Sequence, residues 1–297
     1  MSLNLKGLGV AMVTPFKSSG DVDYPALHKL TEHLINGGVD YLVVQGTTGE
    51  STALTNDEKR AVLDFVLEVN NKRKPIILGV GGNNTRNLCD TFEKFNFTGV
   101  DGILSVSPYY NKPTQEGLYA HYKQLDSCTP LPIILYNVPG RTGRNMKEET
   151  VIALANDCKN IIGIKEASGI FNQIMGIIQV VPESFQVVCG DDAIALPSIS
   201  IGCVGCISVV GNAFPTEFSK ILHLALQNNF REAQDIHYHL LDLIQSLFIE
   251  SNPSGIKEVL KYMGICENNL RLPLVPVTEP TSKKIYQLLA DCPYVKL

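Results

Sequence analysis

The chain has 297 residues, of which 44% are hydrophobic and 19% charged, with 24 glycines and 16 prolines. This is ordinary globular composition, enough for a sizeable core and unlike disordered, collagen-like or coiled-coil sequences. With 25 Lys and Arg against 30 Asp and Glu, the net charge is −5, which excludes the basic footprint that a nucleic acid or an anionic membrane would require.

Short apolar runs recur along the chain at Gly9 to Phe16, Tyr41 to Val44, Ile76 to Val80, Ile103 to Val106, Ile133 to Tyr136, Ile161 to Lys165, Val187 to Cys189 and Val204 to Val209. Most are continuous rather than alternating, as in strands buried on both faces. Helix-length segments lie between them and carry start signals. These are Asp23 ahead of Tyr24-Pro25, Thr55 with Glu58 as a capping box, Thr85, and Thr114. In the second helical segment Val62, Val66 and Val69 form one apolar stripe.

This rhythm of βα units predicts an α/β fold, a (β/α)8 TIM barrel over residues 1–228. An open doubly wound sheet is the alternative, weakened because Val13-Thr14-Pro15-Phe16 lacks the glycine fingerprint of a pyrophosphate-binding turn. The stretch between the seventh and eighth runs is cramped for a full helix. From Phe214 onward the pattern is helical only, at Phe214 to Asn228, Arg231 to Phe248, Ser254 to Tyr262 and Thr281 to Leu289. The first of these completes the barrel and the rest form a C-terminal helical extension, residues 229–297.

The 8 cysteines are irregularly spaced, which points to reduced thiols rather than a disulfide framework. Residues 1–7 lack the pattern of a secretory leader, and no apolar run has the length of a membrane span. The expectation is a cytoplasmic protein.

A barrel of this kind works at the C-terminal ends of its strands. Lys165 stands out there, closing the run Ile161-Ile162-Gly163-Ile164. A lysine must be neutral to attack a carbonyl, and burial among apolar neighbours favours the neutral amine, so Lys165 is a candidate Schiff-base nucleophile. Its other reading is a structural ion pair with Glu166 or another strand-end carboxylate. Tyr136 ends the preceding run and can shuttle a proton at Lys165, because neighbouring strands lie about 4.8 Å apart; as an isolated residue it could equally cap the core. The turn Gly46-Thr47-Thr48-Gly49-Glu50 offers small residues and backbone N–H groups suited to a carboxylate.

Other motifs carry less. Glu50, Glu166, Asp191 and Asp192 could serve a metal-dependent aldolase, although Asp191-Asp192 reads better as a helix N-cap. Cys203 and Cys206 have redox spacing but overlap an apolar strand. His237 and His239 sit two apart on a helix and point apart. Gly79-Val80-Gly81-Gly82 lacks the P-loop lysine.

Taken together, Gly46-Thr47-Thr48-Gly49-Glu50, the Tyr136-Asn137-Val138-Pro139 segment with Arg141-Thr142-Gly143, and Ile162 with Lys165-Glu166-Ala167 are specific. With them the sequence resembles, over essentially its whole length, the dihydrodipicolinate synthase branch of the pyruvate-dependent class I aldolases. The resemblance implies that Lys165 forms an imine with pyruvate while Tyr136 shuttles protons, and that Thr47 and Tyr110 complete a relay to solvent. It places Thr48 on the pyruvate carboxylate, Gly190 and Ile207 along the pocket, and Arg141 on the carboxylate of the second substrate, L-aspartate 4-semialdehyde. No metal or organic cofactor enters that scheme. It further implies a homo-oligomer, a tetramer built from dimers, with Tyr110 reaching the partner's site. If the segment is extended, Tyr109 and Tyr110 cannot both face one pocket.

N-acetylneuraminate lyase shares the lysine, the tyrosine and the glycine-rich turn, and remains the alternative within the superfamily. Arg141, where the lyase has an apolar residue, and Thr47 in place of serine favour the synthase. A non-catalytic small-molecule-binding barrel is the alternative from another class. The resemblance also bears on feedback by lysine, because Asn56 and Lys59 stand where sensitive members have histidines and Asn87 where they have an acid. Weak or absent inhibition is expected, with Ser51, Asn83 and Tyr109 retained and Glu58 able to neutralise Lys59.

Overall fold

In the computed structural model, which describes residues 3–295, the apolar runs become eight strands. Met1 and Ser2, part of the segment read for a leader, lie outside the described residues. The strands are β1 (Gly7–Ala11), β2 (Tyr41–Val44), β3 (Ile76–Gly79), β4 (Gly102–Val106), β5 (Ile133–Asn137), β6 (Ile161–Glu166), β7 (Gln186–Cys189) and β8 (Gly205–Ser208). They form a closed barrel in sequence order, so the TIM-barrel reading holds over the open sheet.

The intervening helices are α1 (Tyr24–Asn36), α2 (Asn56–Asn70), α3 (Thr85–Lys94), α4 (Gln115–Cys128), the single turn α5 (Pro139–Thr142), α6 (Glu148–Asp157), α7 (Phe171–Val180) and α8 (Ala195–Ser200). The cramped connection before β8 holds a 3-10 turn and the six-residue α8. After β8 come α9 (Pro215–Leu226), α10 (Phe230–Ser246), α11 (Ser254–Tyr262) and α12 (Glu279–Ala290). Among the described residues, no helix is long and apolar enough to cross a membrane.

Local chemistry explains most boundaries. The Asp23 carboxylate accepts from the Ala26 N–H, Thr55 and Glu58 form the reciprocal capping box, and Thr114 accepts from the Gly117 N–H. Three expectations need correction. The cap of α3 is Asn84, which accepts from the Asn87 N–H, while the Thr85 hydroxyl pairs with His121 Nδ1 at 2.8 Å. The first strand ends at Ala11 rather than Phe16: the Met12 N–H still reaches the Val43 carbonyl, but the Val13 N–H donates to the Asn212 side chain at 3.1 Å, and Phe16 makes only an isolated antiparallel bridge to Val22. The stripe on α2 is also rotated: Val62, Leu63, Val66 and Asn70 are buried, and Val69 only partly so.

The chain divides into two compact units. One comprises the N-terminal residues through Lys6 with Pro75–Ile207; the other comprises Gly7–Lys74 with the chain from Ser208 onward. In the first, Leu78, Ile103, Ile134 and Ile164 of the strands are buried, as are Leu118, Leu154 and Ile174 of the helices. In the second, Leu30, Val66, Phe218, Leu240 and Ile244 are buried. This second core contains an ion pair between Lys257 of α11 and Glu50, 2.5 Å apart, with both side chains at 1% exposure or less. Burial lowers the Lys257 pKa, opposed by the Glu50 carboxylate beside it. The Lys257 Nζ also lies 4.4 Å from the centre of the Phe16 ring.

Candidate active site

The register of the sheet decides which strand-end side chains share a face. Tyr136 pairs with Lys165, Lys165 with Val188, and Val188 with Gly205. Because side chains alternate, this row faces one way, and the next residues on that face, two further along, include Gly190 and Ile207. The opposite face carries Asn137, Glu166, Cys189 and Cys206.

Lys165 is 5% exposed and Tyr136 7%. The amine lies 4.6 Å from the centre of the Tyr136 ring, an arrangement in which the phenol is adjacent to any bond formed at Nζ. Gly190 makes space for the lysine, since a Cβ there would lie 2.9 Å from Lys165 Cε and 2.7 Å from Ala167 Cβ. Ile207 is fully buried. The first unit thus brings together Lys165, Tyr136, Gly190 and Ile207.

The ion-pair reading of Lys165 with Glu166 does not hold. Glu166 lies on the other face, and its carboxylate accepts from the Ser168 N–H at 2.7 Å, from Asn137 Nδ2 at 2.9 Å and from Gln173 Nε2 at 3.0 Å. The other carboxylates considered as metal ligands are also engaged. Glu50 pairs with Lys257, and Asp191 accepts from the Ala193 N–H as the predicted N-cap. Cys203 and Cys206 are buried, and burial pushes both thiols well above the usual range.

Arg141 is exposed on α5, the turn that follows β5. Tyr110 is 89% exposed and has a φ of 75°, so the segment is not extended at this residue as the alternation argument assumed. Asn83 Nδ2 holds the preceding Tyr109 carbonyl at 3.1 Å.

In the second unit, Thr47–Gly49 form a 3-10 turn directly after β2, closed by the Gly49 N–H donating to the Gly46 carbonyl at 3.0 Å. The Thr47 and Thr48 N–H groups open the turn, where the helix supplies no acceptor. Thr48 is buried, and its hydroxyl accepts from Asn252 Nδ2 at 3.0 Å. Asn252 carried no readable signal, since it follows α10 at a great sequence distance from the turn it supports.

A closed (β/α)8 barrel, with a buried lysine ending one strand and a tyrosine beside it on the next, is the layout of a class I aldolase-type enzyme. The dihydrodipicolinate synthetase family model matches residues 4–291, and the chain belongs to that family. It is 50% identical to the 4-hydroxy-tetrahydrodipicolinate synthase of Parabacteroides distasonis, over 97% of each chain. Among solved structures it resembles the chloride-inhibited dihydrodipicolinate synthase of Acinetobacter baumannii complexed with pyruvate, with a TM-score of 0.95 and 38% identity, over 98% of this chain and 100% of that one. It also resembles the enzyme from Cyanidioschyzon merolae with lysine bound, with a TM-score of 0.93 and 37% identity, over 98% and 99%.

Proposed function

We propose that the chain condenses pyruvate with L-aspartate 4-semialdehyde through an imine at Lys165, the activity of a 4-hydroxy-tetrahydrodipicolinate synthase in the diaminopimelate route to lysine. The observation that carries this reading is the buried Lys165 amine 4.6 Å from the Tyr136 ring, with Gly190 leaving room for its stem. The neutral amine attacks the pyruvate keto carbon, and Tyr136 passes the protons needed to expel water. Loss of a methyl proton gives the enamine, which attacks the semialdehyde carbon. The amine of the second substrate then attacks the imine carbon, closing the ring and releasing Lys165.

Thr48 and its N–H hold the pyruvate carboxylate, and Thr47 with Tyr110 extends the proton path. Arg141, with its planar fork, takes the carboxylate of the semialdehyde. Resemblance of the motifs supports these roles, as do their positions after β2, β4 and β5. The chain works as a cytoplasmic homo-oligomer, a tetramer built from dimers in which Tyr110 enters the partner's site. Supporting this are eight cysteines without disulfides and an aromatic side chain held out at 89% exposure.

The test is an assay of the purified protein for pyruvate-dependent consumption of L-aspartate 4-semialdehyde. Turnover of that pair is expected. Efficient cleavage of N-acetylneuraminate without it would overturn the assignment in favour of the lyase.

A further inference from the structure

The strongest polar cluster outside the reacting face lies directly behind it. Glu166 is 1% exposed, Asn137 is fully buried, and the two are register partners beside the Tyr136–Lys165 pair. Each Glu166 oxygen has two donors. Oε1 accepts from the Ser168 N–H at 2.7 Å and from Asn137 Nδ2 at 3.2 Å; Oε2 accepts from Asn137 Nδ2 at 2.9 Å and from Gln173 Nε2 at 3.0 Å. No cation within ion-pairing distance joins it among the described residues, so hydrogen bonds alone offset the cost of burying the anion.

The donors are themselves fixed. Asn137 Oδ1 accepts from the Met146 N–H at 3.0 Å, and Gln173 Oε1 accepts from Asn145 Nδ2 at 2.7 Å. The network therefore ties the end of β5, the end of β6, the loop before α6 and the first turn of α7 to one carboxylate.

We propose that Glu166 is the positioning residue for Lys165: by anchoring the last peptide of β6, it sets the direction in which the lysine side chain leaves the strand. This rests on the reading of Lys165 as the imine-forming residue. On the reacting face the stem of Lys165 passes Gly190 with no space for a Cβ between them. The stem is thus closely packed in front of the strand, and the anchor behind the strand sets where the strand end, and with it the amine, sits. A glutamine at 166 has nearly the same shape but turns one acceptor into a donor. It would then face the amide of Asn137 and Gln173 or the Ser168 N–H, donor against donor, in a dry site. The strand end would move to relieve that conflict, and Nζ with it.

The experiment compares the full-length wild type with E166Q, the double variant E166Q/Q173E and the single variant Q173M. For each it reads the rate of borohydride-trapped pyruvate adduct at Lys165 by peptide mapping, kcat, KM for pyruvate, and the melting temperature. E166Q is expected to form the adduct at least about tenfold more slowly at saturating pyruvate, a displacement of about 1 Å being able to cost about a hundredfold. Its KM for pyruvate should stay within about threefold, because the carboxylate-binding turn lies elsewhere. The double variant restores an acceptor opposite the new amide and should recover part of the rate. Q173M, which removes one donor from Oε2, should slow the adduct less than E166Q and carries the test if E166Q does not fold. Wild-type adduct rates in E166Q, or in Q173M if E166Q is unfolded, would overturn the proposal, as would a double variant slower than E166Q. A wild-type protein that gives no adduct at Lys165 would instead overturn the parent reading.

Discussion

Arg141 and Lys165 occupy opposite kinds of place, which fits the proposed division of the two halves of the reaction between them. Lys165 is buried among strand residues, whereas Arg141 is exposed on a one-turn helix, free to meet a carboxylate arriving from solvent. If Arg141 serves only the second substrate, Arg141→Ala should leave pyruvate trapping intact and reduce kcat/KM for the semialdehyde. Because the guanidinium is not desolvated in the single chain, a loss near the lower end of charge-pair values is expected, about 2 kcal/mol or roughly thirtyfold. Steady-state kinetics with both substrates varied checks this, and an unchanged kcat/KM would remove Arg141 from the site. Lys165, Tyr136 and Arg141 were all legible in the sequence because each closes an apolar run or follows one within a turn. Gln173 was not. It sits in an apolar helix, Phe171–Val180, where a lone glutamine reads as solvent-facing, yet it turns inward with Ile174 and Ile177 because Glu166 needs its amide.

The helix α2 shows how a local signal acquires a tertiary partner. Thr55 and Glu58 form the expected capping box, but Glu58 also receives two hydrogen bonds from Arg271 in the segment between α11 and α12. The Arg271 guanidinium, with the Thr55 N–H, holds the Glu58 carboxyl at a pKa of about 2, against partial desolvation that would raise it. A carboxylate whose pKa is depressed on folding contributes stability above its unfolded value near 4.5, and that contribution is lost as the pH falls towards 2. Glu58→Gln retains an oxygen able to complete the capping box, removes the charge and turns the other acceptor facing Arg271 into a donor. The variant should therefore lose about 1–2 kcal/mol at pH 7 after allowance for solvent screening. The deficit should shrink steadily below pH 4.5, which urea denaturation of both proteins across that range would show. A deficit independent of pH would mean that packing, not charge, joins Arg271 to α2.

Strand positions were legible because a strand buried on both faces leaves a continuous apolar run. Their ends were less so, as after β1, where the apolar run continues although the Val13 N–H has turned from the ladder to the Asn212 side chain.

At the scale of the proposed assembly, the exposed Tyr110 and the positions expected to line a lysine pocket bear on two predictions. Holding a tyrosine at positive φ costs about 1–3 kcal/mol, and leaving its ring in water forgoes burial; a second copy covering it would offset both. At the positions that the motif resemblance assigns to a lysine pocket, Asn56 and Asn87 are exposed amides and Lys59 is a cation. Glu58, expected to be able to neutralise Lys59, is engaged by Arg271. Like charges about 4 Å apart cost roughly 4 kcal/mol at an effective dielectric of 20, so lysine should inhibit weakly or not at all. Titrating lysine into the condensation assay checks this; strong inhibition at sub-millimolar lysine would show that the retained Ser51, Asn83 and Tyr109 suffice for a pocket. The barrel was legible through rhythm, and the candidate reacting face through motif resemblance. The supporting contacts Asn252 to Thr48 and Lys257 to Glu50 were not, because they join residues about two hundred positions apart with no local pattern to announce them.

The account turns on one covalent bond, between Lys165 Nζ and the keto carbon of pyruvate. Borohydride reduction in the presence of pyruvate, followed by intact mass and peptide mapping, reads that bond directly. The predicted result is one reduced pyruvate adduct per chain, located on Lys165 and absent from Lys165→Ala. An unchanged mass, or an adduct mapped to any other lysine, would contradict the account.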